Sequence, residues 1–237
     1  MKDSQVDLCG EIGRGEDESF PLLAPEDIFE FACNGCGGCC RGREDIVLSG
    51  YDLYRICARL RLPPAVVIRG YCRHYTGKNS RLPVVRLQPL AAEHGNCPFL
   101  YRNRCSIHDA EPLVCALYPL GQQIGLDGAV AYFAQPVDCG GQIIRAKCRD
   151  HLARYGVAER EEIDVRWALG CIRLSKRMRQ LEAALAPAQC KMAQFKIYQA
   201  LYLSLEWEKP YLPQLEQALC ALDAYLDKAA ARAVQKP

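Results

Sequence analysis

Residues 33–40 read Cys-Asn-Gly-Cys-Gly-Gly-Cys-Cys, four thiols in eight positions. A packed core does not need that density of cysteine. A disulfide pair does not need Gly35, Gly37 and Gly38 between the sulfurs. Glycine frees the backbone to take positive φ and wrap around a small centre. The C-x-x-C step brings two sulfurs to one ion or cluster, and here it is taken twice in succession. Metal or iron–sulfur ligation is therefore the leading reading of this loop, ahead of redox-active or inert thiols.

The rest of the composition bounds the answer. The chain has 237 residues, 15 of them Cys, a net charge of +2 and 50% hydrophobic residues. That length accommodates one large domain, or a domain with an appendage, and a sizeable core. The near-neutral charge argues against a bulk nucleic-acid binder. No stretch of about 18 apolar residues suggests a membrane span. Residues 1–18 are acidic and polar, unlike a secretory signal. A cytoplasmic address is expected, where thiols stay reduced. The odd cysteine count also fits poorly with a fully paired disulfide framework.

Three regions are expected: a loose N-terminal tail over 1–24, a cysteine-cluster metal-binding domain over 25–145, and a helical C-terminal region over 146–237. In the tail, Cys9 reads as a free thiol. Residues 25–31 read as a short helix or turn that feeds Phe29 and Phe31 into the core. Ser49 with Asp52 gives a capping-box pattern, followed by Leu53, Ile56, Cys57 and Leu60 at helical spacing, which makes Cys57 a core residue. Pro63-Pro64 ends that helix, and a second is expected over 65–74. Cys72 and His74 read as a packed Cys and a surface His. Leu82 to Leu87 suggests a short strand. Ile124 to Phe133 suggests a hairpin, because Asp127-Gly128 is a strong turn signal.

From about 141 onward the pattern is helical. Trp167, Cys171, Leu174, Met178, Leu181 and Leu185 form one apolar stripe. Met192, Phe195, Tyr198, Tyr202 and Leu205 form a second, and Leu215, Leu219, Leu222 and Leu226 a third. Cys148, Cys171, Cys190 and Cys220 fall inside these patterns as core residues. The run Arg173, Lys176, Arg177, Arg179 reads as a solvated helix face. The fold class expected is mainly α, with irregular cysteine-rich loops and at most a short β-hairpin. A metal-centred domain would pack against a C-terminal helical bundle.

Cys97, Cys105, Cys115 and Cys139 form a second set of four, each in a loop-like context. With Cys33, Cys36, Cys39 and Cys40 they make eight candidate thiolates, the count for two four-thiolate centres, either zinc or cubane clusters. Successive side chains point in different directions, so Cys39 and Cys40 can serve different centres. Arg41 and Arg43 are candidate donors to thiolate sulfur, which would offset its charge. His108 reads as exposed, with ligation or donation to a ligand as the alternatives. Spacing leaves the metal open. The C-x₂-C-x₂-C run matches the start of a bacterial ferredoxin motif, but its fourth Cys would fall at Arg43. Zinc ribbons carry two C-x₂-C knuckles, and the second set has none.

Phe31-Ala-Cys33-x-x-Cys36-Gly37-x-Cys39-Cys40, then Cys97-Pro-Phe-Leu, Cys105-x-Ile107, Pro112-x-x-Cys115 and Tyr118-Pro119, resembles the bacterial YkgJ family of cysteine-cluster proteins. The resemblance covers roughly residues 29–141. It implies zinc or iron chelation through the C-x-x-C-x-x-C-C motif. Flagellin lysine N-methylases look like distant relatives with a similar cysteine signature. In the YkgJ pattern an Arg is common before the Pro matched by Pro112, and another after the Cys matched by Cys115. Here Glu111 and Ala116 hold those places, and His108 stands where Tyr is common.

Three functions remain open on these grounds. The first is a metal-binding protein that holds iron–sulfur clusters, with [4Fe–4S] favoured over zinc, and has a redox or accessory role. The second is an S-adenosylmethionine-linked modifier of protein side chains, although no glycine-rich nucleotide motif is present. The third is a zinc-stapled fold whose C-terminal helices bind a protein partner.

Overall fold

The computed structural model describes residues 20–32, 36–91, 95–135 and 142–234. Cys9, Cys33 and Cys139 lie outside the described residues, as does most of the expected tail.

About half of the described residues are helical, and ten strands form four small antiparallel sheets. The strands are β1 (Leu22–Leu23), β2 (Ile28–Ala32), β3 (Val47–Leu48), β4 (Cys72–Thr76), β5 (Pro83–Leu87), β6 (Leu100–Tyr101), β7 (Arg104–Cys105), β8 (Leu120–Ile124), β9 (Val130–Ala134) and β10 (Gln142–Lys147). They pair as β1-β9-β8, β10-β2, β3-β5-β4 and β6-β7. The helices are α1 (Gly50–Leu60), α2 (Pro64–Tyr71), α3 (Leu113–Leu117), α4 (Cys148–Arg154), α5 (Val157–Glu182), α6 (Pro187–Tyr198) and α7 (Tyr211–Val234), with a π-helical turn at Gln199–Leu203. A mainly helical chain with at most one hairpin is therefore not what forms.

Two of the unexpected strands have a local cause. In Ile28-Phe29-Glu30-Phe31, Phe29 and Phe31 are buried while Ile28 and Glu30 are exposed. That two-residue period belongs to a strand with one wet face. Glu30 lies opposite Arg145 of β10. Their side chains pair at 3.6 Å, and Lys147 reaches Glu26 at 2.8 Å. Residues 142–147 are thus strand rather than the start of the helical region. Likewise α2 stops at Tyr71, and Cys72 to Thr76 pair residue by residue with Leu87 to Pro83.

Other sequence features behave as expected. Ser49 caps α1: its side chain accepts from the Asp52 amide, and Asp52 accepts from the Ser49 amide. Arg61, with positive φ, ends the helix before Pro63-Pro64. Strand β5 falls where expected, and β8 with β9 makes the hairpin closed by Gly125, Asp127 and Gly128.

The largest core is built from both ends of the chain. Leu48, Leu53, Ile56, Cys57, Val67 and Val85 meet Leu174, Met178, Ile197, Leu201, Leu222 and Leu226. Burying one such aliphatic side chain is worth about 1.5–3 kcal/mol. The approach is close at Gly50, the first residue of α1. A Cβ there would lie 2.6 Å from both Trp167 Cζ3 and Tyr211 Oη. A smaller core joins Phe29, Phe31, Leu117, Leu120, Tyr132, Cys148 and Val157.

The third C-terminal stripe is buried as expected, and so is the first except at Trp167 and Leu185, which are half-buried against the core. On α6, however, Met192 and Phe195 are exposed, and Ala193, Ile197 and Tyr198 face the core. Cys57, Cys148 and Cys171 are buried, Cys190 is half-buried and Cys220 is exposed. The arginine run does more than meet solvent: Arg173 and Arg177 both pair with Asp223 of α7, at 2.9 and 2.8 Å. No helix among the described residues is long and apolar enough to cross a membrane.

Candidate metal centre

The glycine–cysteine loop folds through local backbone bonds. Gly37 has φ +71°, a left-handed conformation that favours glycine. Gly38–Cys40 then makes one turn of 3-10 helix, closed by bonds from the Cys40 and Arg41 amides to the Gly37 and Gly38 carbonyls. The Gly38 amide donates to Cys36 Sγ at 3.4 Å. Cys39 Sγ and Cys40 Sγ lie 3.9 Å apart and share a thiol hydrogen bond.

The second cysteine set is brought to this loop by backbone pairing. The Cys97 amide donates to the Cys40 carbonyl at 2.7 Å, and the Gly42 amide to the Gly95 carbonyl at 3.1 Å. From Cys97 the chain enters the tight hairpin β6–β7, in which Leu100 pairs with Cys105. Its two turn residues, Arg102 and Asn103, both have positive φ, as a two-residue hairpin turn of matching twist requires. Arg41 ties loop and hairpin together: one guanidinium nitrogen donates to the Cys36 carbonyl at 2.8 Å, the other to Asn103 Oδ1 at 2.5 Å. A Cβ on Gly37 would stand 3.2 Å from the Asn103 carbonyl oxygen. After Cys105, a 3-10 turn at His108–Ala110 leads to Pro112, which opens α3, and α3 carries Cys115.

Cys36, Cys39, Cys40, Cys97, Cys105 and Cys115 are all partly exposed. Electrostatics groups five of these six. The hydrogen bond from Cys40 pulls the Cys39 thiol down to about 6. That same bond, then burial and the charges of Cys39, Cys97 and Cys115, pushes Cys40 far up. Burial is the main cause raising Cys97, Cys105 (to about 11) and Cys115, with Cys39 adding to each. These thiols are close enough to oppose one another's ionisation. A cation among them reverses that opposition, because thiolates are the ligating form. The donor set, soft and sulfur-rich, fits zinc or iron–sulfur chemistry. Among the described residues, no three Cys, His, Asp or Glu side chains already stand in a metal-ligating arrangement.

Two arginines stand beside the cysteine loop. Arg41 donates to the Cys36 carbonyl and to Asn103 Oδ1. Arg43 makes a paired contact with Asp45, at 2.6 and 2.5 Å, and its charge helps lower Cys39 from a distance. Cys72 is buried in the core, and His74 is exposed and stacks on Tyr198, with ring centroids 4.7 Å apart, as the packed Cys and surface His expected. His108 is 67% exposed at its side chain and pairs with Glu111 at 3.2 Å.

The sequence marks Glu111 only as a departure from the YkgJ pattern, and the structure sets it beside the cysteines. It is 9% exposed, and its charge raises Cys105 and Cys115. It stands four residues before Cys115, just ahead of the helix-opening Pro112.

Comparison with known families identifies this part of the chain. Residues 32–140 match the family model described as "CxxCxxCC: Putative zinc- or iron-chelating domain". That match agrees with the YkgJ-like motifs of this part of the chain and supports a metal-binding role for it. No curated protein and no solved structure matched the chain.

Proposed function

We propose that the domain holds iron–sulfur clusters of the [4Fe–4S] type, two by thiol count, with a redox or accessory role. Cys33, Cys36, Cys39, Cys40, Cys97, Cys105, Cys115 and Cys139 are the proposed ligands. The observation that carries this reading is the pairing of the two cysteine segments, 36–42 and 95–97, through the Cys97–Cys40 and Gly42–Gly95 backbone bonds. It supports the reading by setting the chain at Cys40 beside the chain at Cys97. When bound, a cluster would supply one-electron chemistry at a potential tuned by hydrogen bonds to sulfur and by solvent exposure.

The protein's own contribution is to gather thiols that oppose one another's charge until a cation joins them. Loop and hairpin hold them in place through Arg41 and Asn103. The partly exposed thiols favour a centre reachable by a partner or a metal donor over a sealed one.

Replacing Cys40 with Ser tests the division of ligands. With two centres, iron falls by about half and cluster absorption persists. Loss of all metal points instead to one shared centre.

A further inference from the structure

The segment between Cys105 and Cys115 is held against α1 by side chains. Among the described residues, none between Cys105 and Cys115 lies in a strand. Three residues on one edge of α1, spaced by helical turns, grip it in succession. Arg59 Nε pairs with Asp109 Oδ1 at 2.9 Å. Arg55 donates to the Asp109 carbonyl at 2.7 Å and the Glu111 carbonyl at 3.3 Å. Asp52 Oδ1 accepts from the Leu113 amide at 2.9 Å. Leu113 is the first residue of α3, two positions before Cys115.

Asp52 is itself fixed from the C-terminal half. Its Oδ1 also accepts from Arg160 Nη2 of α5 at 2.9 Å, while its Oδ2 accepts from Ser49. Arg160 forks onto Asp164 with two further bonds of 2.9 Å. The side chains of Arg160, Asp52 and Asp164 are only 3–4% exposed. Arg160 also lies 5.1 Å from the centre of the Tyr51 ring. A guanidinium this deeply buried and bonded to two carboxylates has little freedom. The Leu113 amide inherits that rigidity.

We infer that Arg160, acting through Asp52 and the Leu113 amide, positions Cys115 for metal, so that the C-terminal helices set how tightly the centre holds it. Arg160 and Asp52 are positioning residues; neither is a ligand. Arg55 is a third member of the device, acting on the carbonyls at 109 and 111. The inference rests on the metal-binding reading above. Groups that orient metal ligands typically influence affinity by about 10- to 100-fold when removed, and this device acts on the backbone of a ligand-bearing turn.

The test compares Arg160→Met, Asp52→Asn and Arg55→Met with Leu226→Ala in the full chain, purified anaerobically with its metal. Leu226 is completely buried in the main core on α7 and belongs to no part of this device. Two quantities are read: the rate of metal loss to excess chelator, and amide exchange over residues 111–117. The three device variants should lose metal at least about 10-fold faster and exchange faster over 111–117. Leu226→Ala should lower thermal stability while leaving both readings near wild type.

Metal loss at the wild-type rate in the device variants overturns the inference. So does an equal acceleration in Leu226→Ala, since general loosening would then explain it. A wild-type chain without metal overturns the metal reading itself and the inference with it. Arg55 is only partly buried and bonds backbone carbonyls, while Glu111 and Asp164 keep His108 and Arg160 as partners without it, so that variant stays informative if the buried pair's variants do not fold.

Discussion

Gly37 and Gly42, in and just after the cysteine loop, have similar φ and different surroundings. Both have positive φ, +71° and +62°. A Cβ on Gly42 would meet nothing within 4 Å, whereas a Cβ on Gly37 would meet Asn103 O at 3.2 Å, Leu100 Cδ1 at 3.2 Å and Arg41 Nη1 at 3.3 Å. Forcing alanine into a left-handed conformation costs about 1–2 kcal/mol, offset in part by about 0.4–1 kcal/mol from the stiffer unfolded chain. Gly42→Ala should therefore cost about 1 kcal/mol. Gly37→Ala carries the same cost plus crowding against a backbone carbonyl, for which overpacking adds about 1–3 kcal/mol.

The pair should differ by about 2–4 °C in Tm for each kcal/mol of that crowding. Urea unfolding is the assay, with midpoints shifted and slopes unchanged. Metal retention should fall in Gly37→Ala and hold in Gly42→Ala. Equal stability of the two variants would refute the packing of the 36–40 loop on the β6–β7 hairpin, and with it the convergence of the two cysteine sets.

Three further outcomes follow from the same structure. Cys220 is exposed on α7, so Cys220→Ser should change stability by less than about 0.5 kcal/mol and leave metal content intact, whereas Cys97→Ser should reduce metal per chain. Burial is the main cause lowering the His151 pKa; its Nε2 lies 3.1 Å from the Leu117 carbonyl and its ring packs on Phe29. The neutral ring is the folded form, so its stability contribution is full above about pH 6.5 and is lost as pH falls below that value. The fall in urea midpoint between pH 7.5 and 5.5 should shrink in His151→Gln; an unchanged fall would count against the assignment. Chelation should leave most helical circular dichroism, because the main core rests on leucines and isoleucines of α1 and α5–α7; loss of that signal would make the whole fold metal-dependent.

Much of the candidate site was legible because its chemistry lies in residue type and spacing. Four thiols in eight positions can be counted without a fold. So can the Ser49–Asp52 cap and the leucine stripe of α7. The strands were harder. Cys72 to Thr76 gains strand form from its pairing with β5, which is invisible in its own letters. The alternation of Phe29 and Phe31 about Glu30 is present but spans too few residues to set a period. Met192 and Phe195 fit a helical stripe, yet α6 turns Ala193 and Ile197 inward, a choice made by packing. Asp52 was legible as a cap, but its second bond, to a backbone amide 61 positions away, was not. Long-range hydrogen bonds leave no local periodicity to read.

The most direct measurement is metal and sulfide analysis with an absorption spectrum on anaerobically purified chain. The account predicts a brown protein absorbing broadly near 400 nm, with about eight iron and eight sulfide per chain. About two zinc ions in a colourless protein would keep the chelating domain and remove the iron–sulfur and redox reading. A chain that binds neither metal would contradict the central claim.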